Sequence, residues 1–325
     1  MTSFELFQQI PRMEIAPLQT PVHRCGRIET VVPGMPALYV KHDDYIGPLV
    51  WGNKLRKLEY VFAEARRLGA DTLITCGGLQ SNHARTTAHA ALRFGFRVIL
   101  VLNGVPPARP TGNLLIDFKI GAEVHFVSTR EERQEKMEKL ADDQRALGHK
   151  VLVIPLGASD EVGLPGFIRA MGELKQQQQQ LGIKFDYIFH PSSSGGTQSG
   201  LEVGKRLFEI DSRIIGISAD TPERELKEKI VTISTPVMKR LKMDPMFDED
   251  QLSVDDRFIG EGYGIPTAAS LEAEKLFSEQ EGILVDHFYT AKAASAIIHY
   301  AREGFFKPDD RLLFWHTGGT ISLFQ

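Results

Sequence analysis

The chain has 325 residues, of which 42% are hydrophobic and 25% charged, so it is long enough for about two domains. Its 38 Lys and Arg against 42 Asp and Glu give a net charge of −4 and no basic field for a phosphate backbone, so we expect no nucleic-acid partner. The two cysteines, Cys25 and Cys76, exclude a disulfide framework and predict a reducing compartment, the cytoplasm. Neither a signal-peptide core nor an apolar run of membrane-spanning length is present, so we expect no membrane association.

From about residue 50, short β-rich runs alternate with longer helical patterns, which predicts βαβ units and an α/β fold with a parallel sheet. The runs with strand character are 71–76, 97–102, 122–127 and 149–155, followed in a second series by 185–190, 213–220 and 311–319. A domain boundary is expected near residues 155–165.

The segment 51–60, WGNKLRKLEY, predicts a helix that begins at a lysine and ends before Gly69. A positive charge in the first turn opposes the helix dipole, so Lys54 invites a functional reason. One such reason is an amine that works uncharged or as a Schiff base. The competing interpretation is that Lys54, Arg56 and Lys57 are ordinary surface charges.

The turn PSSSGGTQSG at 191–200 lies between a predicted strand and a predicted helix. Backbone N–H groups at a helix start, glycines that permit close approach and the hydroxyls of Ser194 and Thr197 favour a phosphate. Neither G-x-x-x-x-G-K-[ST] nor a G-x-G-x-x-G after a strand is present, so a single small phosphate is predicted rather than a di- or triphosphate. The alternative is an ordinary βα loop.

A third polar cluster opens the helical pattern within 76–95, where Ser81 and Asn82 follow a strand. Polar side chains at this position suit a ligand that carries negative charge. His83 and His89 are six residues apart and do not share one helical face, so we expect no metal site.

Two downstream segments, 260–267 and 286–294, each place a tyrosine in a polar setting: Tyr263 between glycines and Tyr289 before a threonine. A buried tyrosine usually makes a structural hydrogen bond, so neither segment alone indicates a function. No G-x-S-x-G motif, which carries the nucleophile of α/β-hydrolases, is present, so the sequence does not indicate that class of enzyme.

Six motifs in this order resemble one family: GNKLRKLEY, GGLQSNHARTTAHAA, PSSSGGTQSG, EGYGIP, FYTAK and HTGG. The chain resembles, over nearly its whole length, the fold type II pyridoxal-phosphate enzymes that comprise D-cysteine desulfhydrase and 1-aminocyclopropane-1-carboxylate deaminase. The resemblance implies two open, twisted, mostly parallel sheets flanked by helices. It divides the chain into a small domain, 48–160, and a large cofactor-binding domain, 1–47 plus 161–325. It also implies pyridoxal 5′-phosphate as cofactor, a small amino acid as substrate and a homodimer.

The resemblance carries the family's site onto the matching residues of this chain. Lys54 would link to pyridoxal phosphate as a Schiff base, and Ser81 would face the reacting carbon and the substrate carboxylate. Asn82 would hold the 3′ oxygen of the cofactor. Tyr263 and Tyr289 match two active-site tyrosines, one near the ring and one acting on substrate. The residues expected to hold the phosphate are Ser194, Gly195, Gly196 and Thr197.

Two threonines separate the activities that the resemblance suggests. Cyclopropane-opening members carry Glu after the second tyrosine and Leu in the last motif, where this chain has Thr290 and Thr317. A carboxylate near the pyridine nitrogen favours ring protonation and a stronger electron sink, whereas a hydroxyl leaves the ring closer to neutral. In β-elimination the leaving group carries the electron pair away, so the stronger electron sink is not needed. The two threonines therefore predict a lyase that converts D-cysteine to pyruvate, ammonia and hydrogen sulfide.

Three departures from the family pattern leave the substrate open: Trp51 in place of a glycine, Ala291 in place of a glycine, and 287–288 as His-Phe rather than Pro-Val. Such changes would reshape the pocket for another β-substituted amino acid, with a sulfonate, hydroxyl or chloride group. Deamination of 1-aminocyclopropane-1-carboxylate is the nearest rival activity. From a different class, the chain would be a non-catalytic small-molecule binding protein on the same scaffold.

Overall fold

Two β-sheets form the framework of the molecule, whose computed structural model describes residues 1–17, 19–47, 51–245, 247 and 251–324. The strands are β1 Val22–Arg24, β2 Ala37–His42, β3 Thr72–Gly78, β4 Arg97–Asn103, β5 Glu123–Val127, β6 Val151–Val153, β7 Tyr187–Ser192, β8 Arg213–Ser218, β9 Ser253–Asp255 and β10 Arg311–His316. One sheet has four strands in the order β5-β4-β3-β6, all parallel. The other has six in the order β1-β2-β10-β7-β8-β9, and only β1 is antiparallel to its neighbour.

Helices cover both sheets on both faces. Their bounds are α1 Ser3–Gln8, α2 Gly26–Val31, α3 Lys54–Leu68, α4 Asn82–Arg93, α5 Gly112–Lys119, α6 Glu132–Ala146, α7 Pro165–Leu181, α8 Gly196–Leu207, α9 Glu223–Arg240, α10 Ala268–Glu281 and α11 Thr290–Arg302. The prediction of an α/β fold with two mostly parallel sheets flanked by helices is therefore confirmed. No helix in the part of the chain described here is long and apolar enough to cross a membrane.

The four-stranded sheet has a separate apolar core on each face, because successive side chains along its strands point to opposite faces. Leu73 and Leu100 face α3 and α4 and pack with residues such as Phe62. The neighbouring Ile74 and Ile99 face the other side and pack against α6. Because successive strand residues point to opposite faces, both faces of this sheet are apolar, as expected for a buried parallel sheet.

The large sheet is also covered on both faces. Its β2, β7, β8 and β10 share one apolar core with α2, α10 and α11, which includes Val285 and Phe314. The opposite face packs on α7 and α8 through Phe167 and Trp315. Residues at the carboxyl ends of its parallel strands β7, β8 and β10 line the site described below.

Some element bounds differ from the prediction. The run 149–155 contributes only Val151–Val153 to the sheet, and the last strand ends at His316 rather than 319. Gly318 has a left-handed φ of 94° and donates its N–H to Nδ1 of His316, so the chain turns there instead of extending.

The strands of the two sheets separate along the predicted division of the chain. The strands β3 to β6 lie within 48–160, and the other six lie within 1–47 and 161–325. The exact domain limits stay a prediction, and residues 48 and 325 lie outside the described residues.

Candidate active site

A cavity lies at the carboxyl ends of the parallel strands of both sheets. Its walls come from residues that follow β3, β5, β7, β8 and β10 and from the start of α3. The residues predicted for the site that line it are Lys54, Ser81, Asn82, Ser194, Gly195, Thr197, Tyr263, Tyr289 and Thr317. Segments that are as far apart in sequence as Lys54 and Thr317 are thus brought to one cavity, at the position where open α/β sheets bind ligands.

Lys54 is the first residue of α3, as predicted, and that helix ends at Gly69 in the left-handed conformation. The Lys54 amine faces the cavity and makes no hydrogen bond or ion pair with the residues that the structure describes. Burial lowers the pKa of Lys54 to about 8. At neutral pH an appreciable fraction of this amine is therefore uncharged and able to act as a nucleophile or base.

Lys57 lies one helical turn after Lys54 and is fully buried, so the interpretation of this segment as surface charge is wrong. Its amine donates to the carbonyl of Gly157 and to Oγ of Ser159, both at 3.0 Å. Burial and the nearby Lys54 hold the pKa of Lys57 well below its usual value. Sequence reasoning missed this residue, although its spacing from Lys54 placed both on one face of the helix.

Arg56 is also buried, on the side of α3 away from the cavity. It donates to both carboxylate oxygens of Asp43 at 2.7 Å and to Glu173 at 2.9 Å. Lys41 donates to the same Glu173 at 2.5 Å. We call Lys41, Asp43, Arg56 and Glu173 the ionic cluster, which ties α3 to β2 and α7.

The loop between β7 and α8 presents an anion-binding surface to the cavity. Gly195 has a left-handed φ of 80° and leads into α8, whose first intrahelical backbone bond runs from Ser199 N to Gly195 O. The N–H groups before Ser199 are therefore free of intrahelical partners and lie at the positive end of the helix dipole. The Ser192 hydroxyl, which lines the same cavity, is buried with no hydrogen-bond partner among the described residues.

Gly196 does not line the cavity but lies directly behind this loop. A Cβ atom at this position would fall 2.5 Å from Ser159 Oγ and 2.6 Å from Lys57 Nζ. Ser159 in turn bonds to Ser194 at 2.7 Å between hydroxyl oxygens. The absence of a side chain at Gly196 thus lets Lys57 and Ser159 support the loop from below.

Ser81 and Asn82 stand at the start of α4, where β3 ends. Ser81 is the N-cap, and its hydroxyl oxygen accepts from Ala84 N at 3.2 Å, which leaves the hydroxyl hydrogen available to a ligand. The Asn82 amide oxygen accepts from Arg85 and from Asn113. Both side chains therefore present donors to the cavity beside a helix N-terminus.

Tyr263 and Tyr289 form a pair on the opposite side of the cavity. Their hydroxyl oxygens are 2.6 Å apart, and the rings meet edge to face. Burial raises the pKa of both phenols, so each keeps its proton at neutral pH. Arg130 covers the Tyr263 ring at 5.3 Å and forms an ion pair with Asp220 at 3.2 Å. Two phenols that share one hydrogen bond retain one O–H for a ligand.

Comparison with known proteins identifies the family of this chain. The family described as "Pyridoxal-phosphate dependent enzyme" matches residues 14–318. The chain belongs to this family. It is 33% identical to a putative 1-aminocyclopropane-1-carboxylate deaminase of Pyrococcus furiosus, over 98% of this chain and 95% of that protein. It is 30% identical to a D-cysteine desulfhydrase of Serratia proteamaculans, over 97% and 96%.

The solved structures extend the same likeness to three dimensions. The structure of an ACC deaminase homologue superposes with a TM-score of 0.91 at 32% identity and covers 99% of this chain and 96% of that one. A threonine deaminase superposes with a TM-score of 0.68 at 19% identity, which shows the shared fold. The sequence resemblance to fold type II pyridoxal-phosphate enzymes is therefore confirmed.

The cavity of this family member fits the cofactor in its chemistry. Pyridoxal phosphate needs an amine for its aldehyde and donors for its phosphate. The unpartnered Lys54 supplies the amine. The loop after β7 supplies free N–H groups, and the unpartnered Ser192 hydroxyl supplies a further donor.

The two predicted threonines differ in position. Thr317 lines the cavity, and its carbonyl accepts from Asn53 N at 3.4 Å, next to Lys54. Thr290 is fully buried at the start of α11, and its hydroxyl donates to Asp286 Oδ2 at 2.7 Å. Thr290 therefore does not line the cavity, and its assignment to the cofactor stays a prediction.

The departures from the family pattern also lie outside the cavity wall. Trp51 is buried in the apolar core of the four-stranded sheet, with its ring edge to face on His89. Ala291 is buried in the core of the large sheet. Phe288 approaches the site, because it packs on the Tyr263 ring at 5.2 Å. The expectation that Trp51 and Ala291 reshape the pocket directly is not supported by their positions.

Proposed function

We propose that this enzyme is a lyase that removes the β-substituent of a small amino acid, with D-cysteine converted to pyruvate, ammonia and hydrogen sulfide. The observation that carries the proposal is the partly neutral Lys54 amine in one cavity with the Ser81 hydroxyl and the tyrosine pair. When bound, pyridoxal phosphate supplies an electron sink for a carbanion next to the amino group.

Lys54 is the proposed catalytic base. An amine with a pKa near 8 accepts a proton from Cα far more readily near neutral pH than an ordinary lysine, because more of it is uncharged. Its fixed position at the first turn of α3 keeps the amine within the cavity while the substrate occupies it.

Ser81 and Asn82 are proposed to orient the substrate and the cofactor respectively. The Ser81 hydroxyl and the N–H groups that open α4 offer donors to the substrate carboxylate, which is favoured at a helix N-terminus. Asn82 offers its amide to the 3′ oxygen of the cofactor. The phosphate is assigned to Ser194, Gly195, Gly196 and Thr197, with Lys57 as support.

The tyrosine pair is proposed to act on the leaving group. Both phenols hold their protons, so Tyr263 and Tyr289 serve as donors and not as bases. A proton delivered to the departing sulfur neutralises the charge that develops there and assists cleavage of the Cβ–S bond. The hydrogen bond between the phenols keeps the donating hydroxyl oriented.

The pair Thr290 and Thr317 is proposed to favour elimination over cyclopropane opening. Where cyclopropane-opening members carry Glu, this chain has Thr290, so no carboxylate at that position would promote protonation of the cofactor's ring nitrogen, and cyclopropane opening calls for the stronger electron sink that a carboxylate supports. Deamination of 1-aminocyclopropane-1-carboxylate remains the second candidate, because one relative carries that name.

A product assay tests the proposed activity. The reconstituted protein is incubated separately with D-cysteine, L-cysteine, 1-aminocyclopropane-1-carboxylate, cysteate, serine and 3-chloroalanine, and sulfide, 2-oxo acid and ammonia are measured. Pyruvate and sulfide from D-cysteine alone support the proposal. 2-Oxobutyrate from the cyclopropane substrate contradicts it in favour of the deaminase. A visible cofactor band with no turnover of any of these substrates would retain the cofactor assignment and direct the search to other amino acids, whereas a colourless protein that cannot be reconstituted would favour the binding-protein alternative.

We further propose that the protein works as a homodimer in the cytoplasm. The dimer rests on the resemblance to fold type II enzymes. The compartment agrees with two buried thiols, Cys25 and Cys76, that form no disulfide. Light scattering coupled to size exclusion measures the assembly, and a monomer mass with full activity would contradict the dimer.

A further inference from the structure

The Asn82 side chain is held from behind by two donors. Asn113 Nδ2 donates to Asn82 Oδ1 at 2.9 Å, and Arg85 Nη2 donates to the same oxygen at 3.1 Å. The Asn82 amide nitrogen makes no hydrogen bond with the residues that the structure describes, and the residue lines the cavity. The amide oxygen thus points into the protein and the NH₂ group toward the ligand space.

This orientation of Asn82 cannot be reversed without a penalty. A flipped amide would place its NH₂ group against an arginine and an asparagine NH₂, which are donors only. Asn113 is itself fixed, because its Nδ2 also donates to Gln80 O at 2.8 Å and its backbone N donates to Gln80 Oε1 at 2.8 Å. The start of α5 is therefore locked to the turn before α4.

Arg85 adds a full positive charge to this arrangement. It is buried at 2% exposure, and burial lowers its pKa to about 10, so it stays charged at neutral pH. Asp117, an acid whose charge acts on Arg85, is also buried, and burial raises its pKa to about 8. The charge of Arg85 therefore acts on its acceptors, Asn82 Oδ1 and Trp51 O.

A charged donor on an amide oxygen polarises the whole amide. Electron density moves toward the oxygen, and the N–H groups at the other end become stronger donors. The group best matched to such a donor is an anionic oxygen on the bound ring. Arg85 thus makes the Asn82 NH₂ group more positive, although the Arg85 side chain does not line the cavity.

We propose that Arg85 and Asn113 are positioning residues that hold and polarise Asn82 so that its NH₂ group donates to an anionic ring oxygen of the cofactor. The inference rests on the proposed function only for the placement of that oxygen at Asn82. It assigns roles to two residues that lie outside the cavity wall.

Cofactor binding by Asn113→Ala and Arg85→Met tests this proposal without any substrate. Apo-protein is titrated with pyridoxal phosphate, and the ratio of the visible to the near-ultraviolet cofactor band is recorded at one pH. Each variant is expected to bind the cofactor about tenfold more weakly, because one of the two hydrogen bonds that hold and polarise Asn82 is lost. The band ratio should shift toward the species with a protonated ring oxygen. Unchanged affinity and band ratio in both variants would overturn the proposal.

A double-mutant cycle separates action through Asn82 from a general structural effect. In an Asn82→Ala background, Asn113→Ala should produce no further change in affinity or band ratio. An equal additional loss in that background would overturn the proposal. Arg93→Met is the matched control, since Arg93 is an exposed arginine on the same helix, and it should leave both readouts unchanged.

Two conservative variants keep the test decisive where truncation unfolds the chain. Arg85→Lys retains the charge and should recover part of the band ratio lost in Arg85→Met. Asn113→Asp replaces a donor with an acceptor, so it should weaken cofactor binding more than Asn113→Ala, because Asn82 is then drawn to turn its NH₂ group inward. The reverse order would overturn the proposal. A failed substrate assay leaves these readouts unaffected, so the two failures are distinguishable.

Discussion

Helix α3 projects side chains into two polar regions that differ in how completely their atoms are paired. In the ionic cluster, Arg56 has a carboxylate partner on two sides, and Lys41 and Asp43 are likewise bonded. In the cavity, by contrast, Lys54 has no partner among the described residues. Two residues on one helix therefore differ in role. Arg56 is buried and paired, which stabilises the structure, whereas Lys54 lies in the cavity without a partner, which leaves its amine reactive.

The largest effect on turnover should come from replacing Lys54, the cavity residue without a partner. Lys54→Ala is expected to reduce turnover by about 10³-fold or more, because both the covalent link and the base are lost. The free energy of unfolding of the apo-protein should not fall, since no described contact of the amine is lost. Product assays and urea unfolding measure the two quantities. Lys57→Met, one turn away, should instead weaken cofactor binding and retain turnover at saturating cofactor.

A matching change in the ionic cluster should have the opposite profile. Asp43→Ala leaves the buried Arg56 guanidinium without its bidentate partner, so the free energy of unfolding should fall by about 3–5 kcal/mol. Urea unfolding followed by fluorescence checks this value. The control is Glu225→Gln, which removes an exposed ion pair with Lys229 and should cost less than about 0.5 kcal/mol. Equal losses in the two variants would contradict the distinction between the regions.

The tyrosine pair should give a smaller catalytic effect than Lys54. Tyr289→Phe removes one of two paired phenols and should lower kcat by about 10²-fold, as for loss of a general acid, with the cofactor spectrum retained. Tyr300→Phe is the matched control, because Tyr300 also bonds to another side chain, Asp255, but lies outside the cavity. A kcat for Tyr289→Phe equal to that of the control would remove this residue from the mechanism.

The mildest test is the pH dependence of cofactor capture by the apo-protein. Only the uncharged amine reacts with an aldehyde, and Lys54 has a pKa lowered by burial to about 8. The capture rate should therefore rise about tenfold per pH unit below that value and level off above it. Stopped-flow absorbance measures the rate. A rise that continues to pH 10 would indicate an ordinary lysine and would contradict the contrast drawn between the two regions.

Local patterns predicted α3 well, because a 3.6-residue apolar repeat and a terminating glycine are both local features. The same reasoning could not place Lys57, whose partner Ser159 lies far along the chain and meets it only after α3 packs against the segment that follows β6. For Trp51, closeness in sequence was misleading. It is three residues from Lys54 but turns into the apolar core, because a large aromatic ring gains more from burial against His89 and its neighbours than from the cavity wall.

The order of polar motifs gave the family, but not the pairing of each side chain. Thr290 was expected beside the cofactor because it follows Tyr289 in sequence. The turn into α11 instead directs its hydroxyl to Asp286. Likewise, Arg85 and Asn113 carry no motif, and their convergence on Asn82 depends on how α5 docks against α4.

The tight space behind Gly196 limits which mutational routes are open to this enzyme. Any side chain there would collide with Ser159 and Lys57, which support the loop that presents Ser194 and Thr197 to the cavity. A saturation library at position 196 should therefore recover almost no functional clones other than glycine. Evolution toward a new substrate would have to begin elsewhere on the cavity wall, with the phosphate-holding turn kept as it is.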